Sequence, residues 1–247
     1  MNGHLDAPAG ASRRDRDSGA LRAAHVNRLA RDVDTGKGQL AFVRHTGDSA
    51  ALTGGGMTLY PNYPIRTERL VLRPFTRGDV DAVYAYRRRE DVARYLFDVP
   101  LSREECALAV QQRTSQVALE AEGDKIILGV ELAENSALIG EVSLIWRSVD
   151  ARQGEVGWIF DPQYHGRGYA TEAANAILDL AFGPGDIHRV AARCDVRNEA
   201  SWRLMERLGM RREAHFREHA LFKSQWDEEF IYALLWQEWR VMRAQQA

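Results

Sequence analysis

Hydrophobic residues alternate with polar ones or recur at helical spacing throughout 61–247, and this pattern predicts a series of closely spaced strands and helices. A helix is predicted over Tyr169–Phe182, because Ala, Ile and Leu recur there every three or four residues before Gly183. Ser102 and Glu105 fit a capping box, which predicts a helix to about Glu120. Strands are predicted over 67–73, Lys125–Leu132, 138–146, 154–160, Arg189–Asp195, 210–217 and 227–236.

The order of these elements predicts the fold class. Links of a few residues join the second, third and fourth predicted strands, so these strands should be antiparallel neighbours, since a parallel pair needs a long crossover. Further helices are predicted at Asp79 and after Asn198, whose side chain can serve as an N-cap. The whole order predicts an α+β fold with a mixed, mostly antiparallel twisted sheet flanked by helices.

Residues 1–60 differ in composition from the rest of the chain. They hold nine of the twenty glycines, lack Glu and Trp, and contain two aromatic residues. Such a segment has little apolar surface to offset the entropy lost on ordering, although 21–31 has a weak helical pattern and the three glycines at 54–56 are typical of a hinge. We therefore expect 1–60 to be a flexible N-terminal extension and 61–247 to be the folded domain.

Composition argues against several classes of function. The 247 residues carry a formal net charge of −2, so no broad basic field is available for nucleic acid or an anionic membrane. No apolar run approaches the roughly 20 residues of a membrane-spanning helix, and the polar start is unlike a secretory signal. Two cysteines make no disulfide framework. We expect a cytoplasmic monomer or homodimer without nucleic-acid or membrane partners.

A loop with two glycines precedes the strongest predicted helix. Gly166 and Gly168 permit unusual backbone dihedral angles, the N–H groups at a helix start favour an anion such as a pyrophosphate, and Arg167 can add a charged contact. A nucleotide P-loop would need Gly-Lys-Ser/Thr here, and a dinucleotide-binding loop would need a third glycine where Thr171 stands. The loop of acetyltransferases, which has the pattern Gln/Arg-x-x-Gly-x-Gly/Ala, fits better, because Gln163, Gly166 and Gly168 match it.

The segment 61–247 resembles the GNAT superfamily of acyltransferases and, within it, the RimJ/RimL-like branch. The resemblance rests on six motifs in the family's order and spacing, and 1–60 has no counterpart in it. These motifs are RTERLVLR at 66–73, IGE at 139–141, EVGWI at 155–159, YHGRGYA at 164–170, NEAS at 198–201 and LGM at 208–210.

This resemblance implies an enzyme that uses acetyl-CoA and a sheet that is splayed between the fourth and fifth predicted strands. The pantetheine arm would pair with the backbone of the fourth strand, where an N–H would support the charge developing on the thioester carbonyl. The acceptor amine would attack the thioester directly. The cofactor-binding residues that the resemblance implies are Trp158, Ile159, Phe160, Gln163, His165, Gly166, Arg167, Gly168, Tyr169, Ala170 and Asn198.

Direct attack needs two proton transfers, because the incoming ammonium loses a proton and the leaving thiolate gains one. Many family members place a tyrosine acid on the helix after the fifth strand, where this chain has Met205. The RimL-like alternative is a serine, matched by Ser201. Glu141 is the first choice as base, directly or through water, ahead of Glu155 and Glu218.

Several of these residues also have purely structural interpretations. Asn198 fits a helix N-cap, and Ser201 fits a first-turn residue with a local backbone bond. His165 is expected to shape the loop, since no second ligand lies at metal-binding spacing, and the four-residue spacing of His215 and His219 is interpreted as coincidence. No metal site is predicted.

The sequence thus predicts an acetyl-CoA-dependent N-acetyltransferase that acts on a primary amine. The RimJ/RimL-like resemblance makes a protein N-terminal amine the first choice, with a small-molecule amine such as an aminoglycoside as the alternative. Asp98, Glu141, Glu155 and Asp227 would favour a cationic acceptor if the fold brings them together. A non-catalytic acyl-CoA-binding module stays open, because Met205 stands at the usual tyrosine position.

Overall fold

The computed structural model describes residues 58–96 and 98–246, which form an eight-stranded sheet with flanking helices. The strands are β1 (Ile65–Arg66), β2 (Leu70–Pro74), β3 (Lys125–Leu132), β4 (Leu138–Ser148), β5 (Gln153–Phe160), β6 (Arg189–Asp195), β7 (Arg211–Phe222) and β8 (Gln225–Leu235). The helices are α1 (Val80–Arg87), α2 (Glu90–Ala93), α3 (Arg103–Arg113), α4 (Tyr169–Phe182), α5 (Glu199–Arg207) and α6 (Trp236–Gln246).

The sheet order is β1-β2-β3-β4-β5-β6-β8-β7, and every neighbouring pair is antiparallel except β5 and β6. This mixed, mostly antiparallel sheet confirms the predicted α+β class. The predicted bounds of α4 and β6 are confirmed at both ends, and β3, β4 and β5 are antiparallel neighbours as expected. The capping box is present, because Glu105 N donates to Ser102 Oγ (3.2 Å) and Ser102 N donates to Glu105 Oε2 (2.8 Å).

One helix prediction was wrong at its end, and the final helix was not predicted. The helix predicted to about Glu120 ends at Arg113, because the chain beyond it is extended and forms isolated bridges at Val117 and Leu119. The final strand ends at Leu235, and α6 follows it without having been predicted. Tryptophans three residues apart begin α6 and pack against the core, a helical spacing that was the available signal.

The predicted N-terminal extension lies outside the described residues except for its last three positions, as do the weak helix at 21–31 and the glycines at 54–56. Leu59 is buried and exchanges two backbone hydrogen bonds with Leu119 (2.8 and 3.0 Å). The described fold therefore already includes Leu59.

Helices cover the two faces of the sheet with separate apolar clusters. On one face, α4 packs its buried side, which includes Ile177 and Ala181, against β-strand residues such as Leu144. On the other face, α1 and α3 pack Val83 and Val110 against the sheet. Successive side chains of a strand point to opposite faces of the sheet, so they face the two clusters alternately.

β5 and β6 separate soon after they meet. They pair in parallel at Gln153, Gly154 and Glu155, whose partners are Arg189, Val190 and Ala191. Beyond that point β6 continues to pair with β8 as far as Asp195, while the facing edge of 156–160 has no strand partner within the described part of the chain. The structure therefore confirms the predicted splay, since these are the fourth and fifth strands of the sequence prediction.

Candidate active site

The separation of β5 and β6 opens a cavity of about 290 Å³. Its walls are formed by β3, β4, β5, β6, α5 and β8 and by Tyr95 and Leu96, which follow α2. Five residues predicted for the site, Glu141, Trp158, Ile159, Asn198 and Ser201, line this one cavity. The fold thus brings together side chains that lie up to 60 positions apart in the sequence.

The loop between β5 and α4 is shaped by local hydrogen bonds and two glycines. Asp161 Oδ1 accepts a hydrogen bond from Gln163 N (3.0 Å) and caps a short 3-10 helix. Gly166 and Gly168 have φ angles of 75° and 83°, a region that favours glycine. The first hydrogen bond of α4 runs from Glu172 N to Gly168 O, so the preceding amides lack an acceptor within the helix. This is an anion-binding arrangement.

A polar clamp joins this loop to the start of β2. Glu172 accepts hydrogen bonds from Thr67 Oγ1 (2.6 Å), Arg69 N (2.8 Å) and Arg69 Nε (2.7 Å), and Arg69 Nη1 donates to Arg167 O (3.1 Å). Burial raises the pKa of Glu172, but these hydrogen bonds outweigh that effect and hold the pKa below its ordinary value. The guanidinium of Arg69 also stacks over Tyr169, 4.8 Å from the ring centroid.

A second contact joins β5 to α5 across the cavity. Trp158 Nε1 donates a hydrogen bond to Ser201 Oγ at 3.0 Å. Asn198 Oδ1 accepts from Ser201 N at 3.2 Å, so Asn198 caps α5 as well as lining the cavity. An indole N–H can only donate, so the serine oxygen is the acceptor and its own proton points elsewhere.

Glu141 lies inside a buried polar network. Its carboxylate accepts hydrogen bonds from Arg113 Nη2 (2.8 Å) and the Tyr86 hydroxyl (3.1 Å), and Arg87 Nη1 lies 3.8 Å from it. The side chain is 7% exposed. Burial and the neighbouring carboxylate raise the pKa of Tyr86 well above its ordinary value, so this phenol stays protonated and donates to Glu141.

Five of the six charged residues that line the cavity are acidic. The five acidic lining residues are Glu141, Glu155, Asp195, Asp227 and Glu229. Arginines lie within 2.9 Å of the first three, as Arg113 does for Glu141, Arg147 for Glu155 and Arg197 for Asp195. Asp98, which the sequence grouped with them, instead pairs with Arg87 at 2.5 Å and is not one of the lining residues.

The two carboxylates on β8 have weaker positive partners. His219 lies 3.3 Å from Asp227 and 3.5 Å from Glu229, and Arg193 lies 3.6 Å from Glu229 and 3.5 Å from Glu155. Burial raises the pKa of Glu229, which is 5% exposed. Two buried carboxylates thus share one histidine and one arginine, and Glu155 shares the same arginine, so this wall of the cavity favours a cation.

All but one of the remaining predicted residues lie in the loop and at the helix start, and Phe160 ends β5. The residues of the loop and the helix start are Gln163, His165, Gly166, Arg167, Gly168, Tyr169 and Ala170. His165 Nε2 lies 3.2 Å from the Phe160 carbonyl, which fits its predicted role in shaping the loop. The Phe160 ring packs into the core, so only its backbone can serve a ligand.

Sequence reasoning missed the clamp residues Arg69 and Glu172 and the β8 residue Glu229. Arg69 lies within the RTERLVLR motif, which was the available signal, whereas Glu229 had none beyond being a charge in a predicted strand. His215 and His219 contact different carboxylates, since His215 lies 2.7 Å from Glu228 while His219 lies between Asp227 and Glu229. Among residues 58–96 and 98–246, no cluster of three or more potential metal ligands is found. None of the described helices is long and apolar enough to cross a membrane.

Comparison with known proteins agrees with this geometry. A family model described as an acetyltransferase (GNAT) domain matches residues 69–211. The uncharacterized N-acetyltransferase YnaD of Bacillus subtilis is 34% identical over 175 residues, which cover 71% of this chain and 98% of that protein. A GNAT-family acetyltransferase structure from Bacillus anthracis superposes with a TM-score of 0.64 and 31% identity, covering 71% of this chain and 99% of the other.

A further solved structure has the same fold at lower identity. The spermidine N-acetyltransferase of Vibrio cholerae, in complex with CoA and spermine, gives a TM-score of 0.60 at 23% identity and covers 70% of this chain and 99% of its own. The family match spans more than half of the chain, and it includes the strands that separate and the glycine loop. The chain belongs to the GNAT family and is an N-acetyltransferase that uses acetyl-CoA.

Proposed function

We propose that this N-acetyltransferase transfers the acetyl group to a primary amine of a small, multiply charged cation, the class to which polyamines belong. The observation that carries the proposal is the pair of buried carboxylates on β8, Asp227 and Glu229, which lie at ion-pair distance from a histidine and from an arginine shared with Glu155. Alkylammonium groups are compact cations with three N–H donors, and buried carboxylates are suitable acceptors for them.

The RimJ/RimL-like resemblance favours a different acceptor, a protein N-terminal amine. Such an acceptor brings one ammonium group followed by a largely uncharged backbone. It would set a single positive charge against five lining carboxylates, so it would match this wall less well than an acceptor with several ammonium groups. The Vibrio cholerae structure of this fold, named for spermidine and bound to spermine, supports the small cation as the better match.

The residues of the cleft fit acetyl-CoA, which supplies an acyl carbon activated as a thioester. The backbone edge of 156–160 has donors and acceptors for a peptide-like arm, and the amides at the start of α4 would hold the pyrophosphate. A Cβ placed on Gly166 would meet nothing within 4 Å, so the loop is open in front of these amides. Arg69 would hold the loop through its bond to the Arg167 carbonyl.

Ser201 would stabilise the leaving thiolate. Because Trp158 donates to the serine oxygen, the serine proton is directed away from the indole and is available to the sulfur. Hydrogen bonds to charged groups contribute about 1.5–3 kcal/mol, which suits a thiolate that needs little assistance. Met205, at the position where many relatives place a tyrosine, is buried and has no proton to give.

Glu141 remains the base that the sequence predicts, yet its contacts favour another role. Both carboxylate oxygens already accept hydrogen bonds from buried donors on α1 and α3, and accepting a substrate proton would break this network. We assign Glu141 to positioning, since it ties Tyr86 and Arg113 to β4 at the floor of the cavity.

The acceptor class is tested by turnover. The release of free thiol from acetyl-CoA should be at least about tenfold faster, as kcat/KM, with spermidine than with a peptide whose only amine is its N-terminus, because differential binding of about 1.4 kcal/mol corresponds to a factor of ten. Kanamycin and a neutral monoamine complete the panel. A peptide that is acetylated fastest would contradict the small-cation proposal, and tight acetyl-CoA binding without turnover would indicate a non-catalytic module.

The phosphate loop is tested by filling it. Gly168→Val should weaken CoA binding at least about tenfold in calorimetry, because the side chain would block the first amides of α4 and strain a backbone with φ of 83° by about 1–2 kcal/mol. Gly123→Val is the matched control, because Gly123 has φ of 92° with open space around it on a loop outside the cavity. Equal CoA affinity in both variants would remove the loop from the binding site.

The serine is tested by removing its hydroxyl. Ser201→Ala should lower kcat about tenfold, with the CoA dissociation constant nearly unchanged, because the hydroxyl acts when charge develops on sulfur. Ser143→Ala is the control, since Ser143 lines the same cavity from β4. A kcat for Ser201→Ala equal to that of the control would show that Ser201 is only a residue of the helix start.

A further inference from the structure

We propose that Glu229 accepts the proton that the acceptor ammonium loses, and that His219 holds Glu229 and passes this proton to solvent. The proposal rests on the function proposed above, since it assigns the base for the same reaction. It is carried by the geometry of the β7–β8 hairpin, which no sequence motif predicted.

A bulge in β7 brings His219 to the cavity wall. The pairing register of β7 with β8 shifts between Arg217 and Leu221, and Glu218 adopts a φ of 47° within this bulge. Ala220 N donates to Asp227 Oδ1 at 3.1 Å, which fixes the bulge to β8. As a result, the imidazole spans two carboxylates, with Nδ1 3.3 Å from Asp227 and Nε2 3.5 Å from Glu229.

Solvent exposure of the side chains increases from Glu229 to His219, which is the direction in which the proton would travel. The side chain of Glu229 is 6% exposed and faces the cavity, whereas the side chain of His219 is 35% exposed. A buried carboxylate can contact an amine at the thioester, and an imidazole that reaches solvent can pass a proton to water. Neither Glu141 nor Glu155 has a histidine within ion-pair distance among the described residues.

Several charged and titratable groups face Glu229 and set its behaviour. They are Glu155 on β5, Arg193, Cys194 and Asp195 on β6, His219 on β7 and Asp227 on β8. Burial raises the pKa of Glu229. Arg193 and charged His219 lower this pKa, whereas the negative charges of Asp227 and Glu155 raise it further. A carboxyl group whose pKa lies above its ordinary range is a stronger base, which suits removal of a proton from an ammonium.

The proposed step balances as follows. The ammonium nitrogen gives a proton to a Glu229 oxygen and becomes a neutral amine with an electron pair. The amine forms its bond to the acyl carbon as the carbon–sulfur bond breaks, and the second proton lost by nitrogen goes to the leaving sulfur. Glu229 returns to the carboxylate when its proton passes to Nε2 of His219 and then to water.

The test is the pH dependence of Glu229→Gln in the full chain, with spermidine as the acceptor. At pH 7 the variant should lose about 100-fold in kcat/KM, a typical contribution of a general base. The loss should shrink by about tenfold for each pH unit from 7 to 9, because an alkylammonium titrates near pH 10.4 and the substrate then arrives already neutral. A merely structural role would give the same loss at every pH.

A matched pair on the same hairpin provides the control. His215 and Glu228 are also in contact (2.7 Å), but Glu228 is not one of the cavity-lining residues. Glu228→Gln should therefore retain the kcat/KM of the unmodified enzyme at both pH values. In His219→Gln the acid limb of the profile should move to higher pH, because charged His219 lowers the pKa of Glu229. Unchanged CoA affinity in each variant shows that the fold is retained.

The outcomes separate this proposal from the proposed function. Loss that is independent of pH, full activity of Glu229→Gln, or a pH-dependent loss in Glu141→Gln alone would overturn the assignment of Glu229. If the unmodified enzyme acetylates the peptide and not spermidine, the small-cation function fails, and the same comparison is made with the peptide. If the unmodified enzyme acetylates no amine, both proposals fail.

Discussion

β5 and β6 share three residue pairs and then separate, and the position of every candidate group follows from that separation. Had the two strands remained paired to Phe160 and Asp195, their backbone groups would be satisfied by each other and no cavity would exist between them. Instead, β6 turns its remaining pairing to β8, and the edge of β5 is left for a peptide-like ligand. The loop with its two glycines follows directly, so the anion site and the backbone edge form one continuous surface.

Charge divides this surface into two regions with different tasks. The loop side presents helix-start amides and the clamped Arg69, which suit phosphate. The β8 side presents Asp227 and Glu229 with a histidine between them, which suits an ammonium group. Glu141 belongs to neither region, because the buried donors Arg113 and Tyr86 already satisfy its oxygens. Thioester and amine would therefore approach from opposite sides of the β5–β6 gap.

The parts of this arrangement that depend on local sequence could be predicted from it. The apolar period of α4, the stop at Gly183 and the capping box at Ser102 are signals within a few residues. The first two placed both ends of α4, and the third placed the start of α3. The acidic wall could not be predicted, because it depends on the register of three strands and on a bulge at Glu218. The contacts of Glu141 show the same limit, since its donors come from helices more than 25 positions earlier.

The central claim is that the separated strands and the β8 carboxylates act on one acyl donor and one cationic acceptor. A crystal structure of the full chain with CoA and spermidine tests it most directly. The account predicts that the pantetheine arm lies along 156–160 and that an ammonium group lies within hydrogen-bond distance of Asp227 or Glu229. CoA bound elsewhere with β5 and β6 paired over their whole length, or the amine bound away from β8, would contradict it.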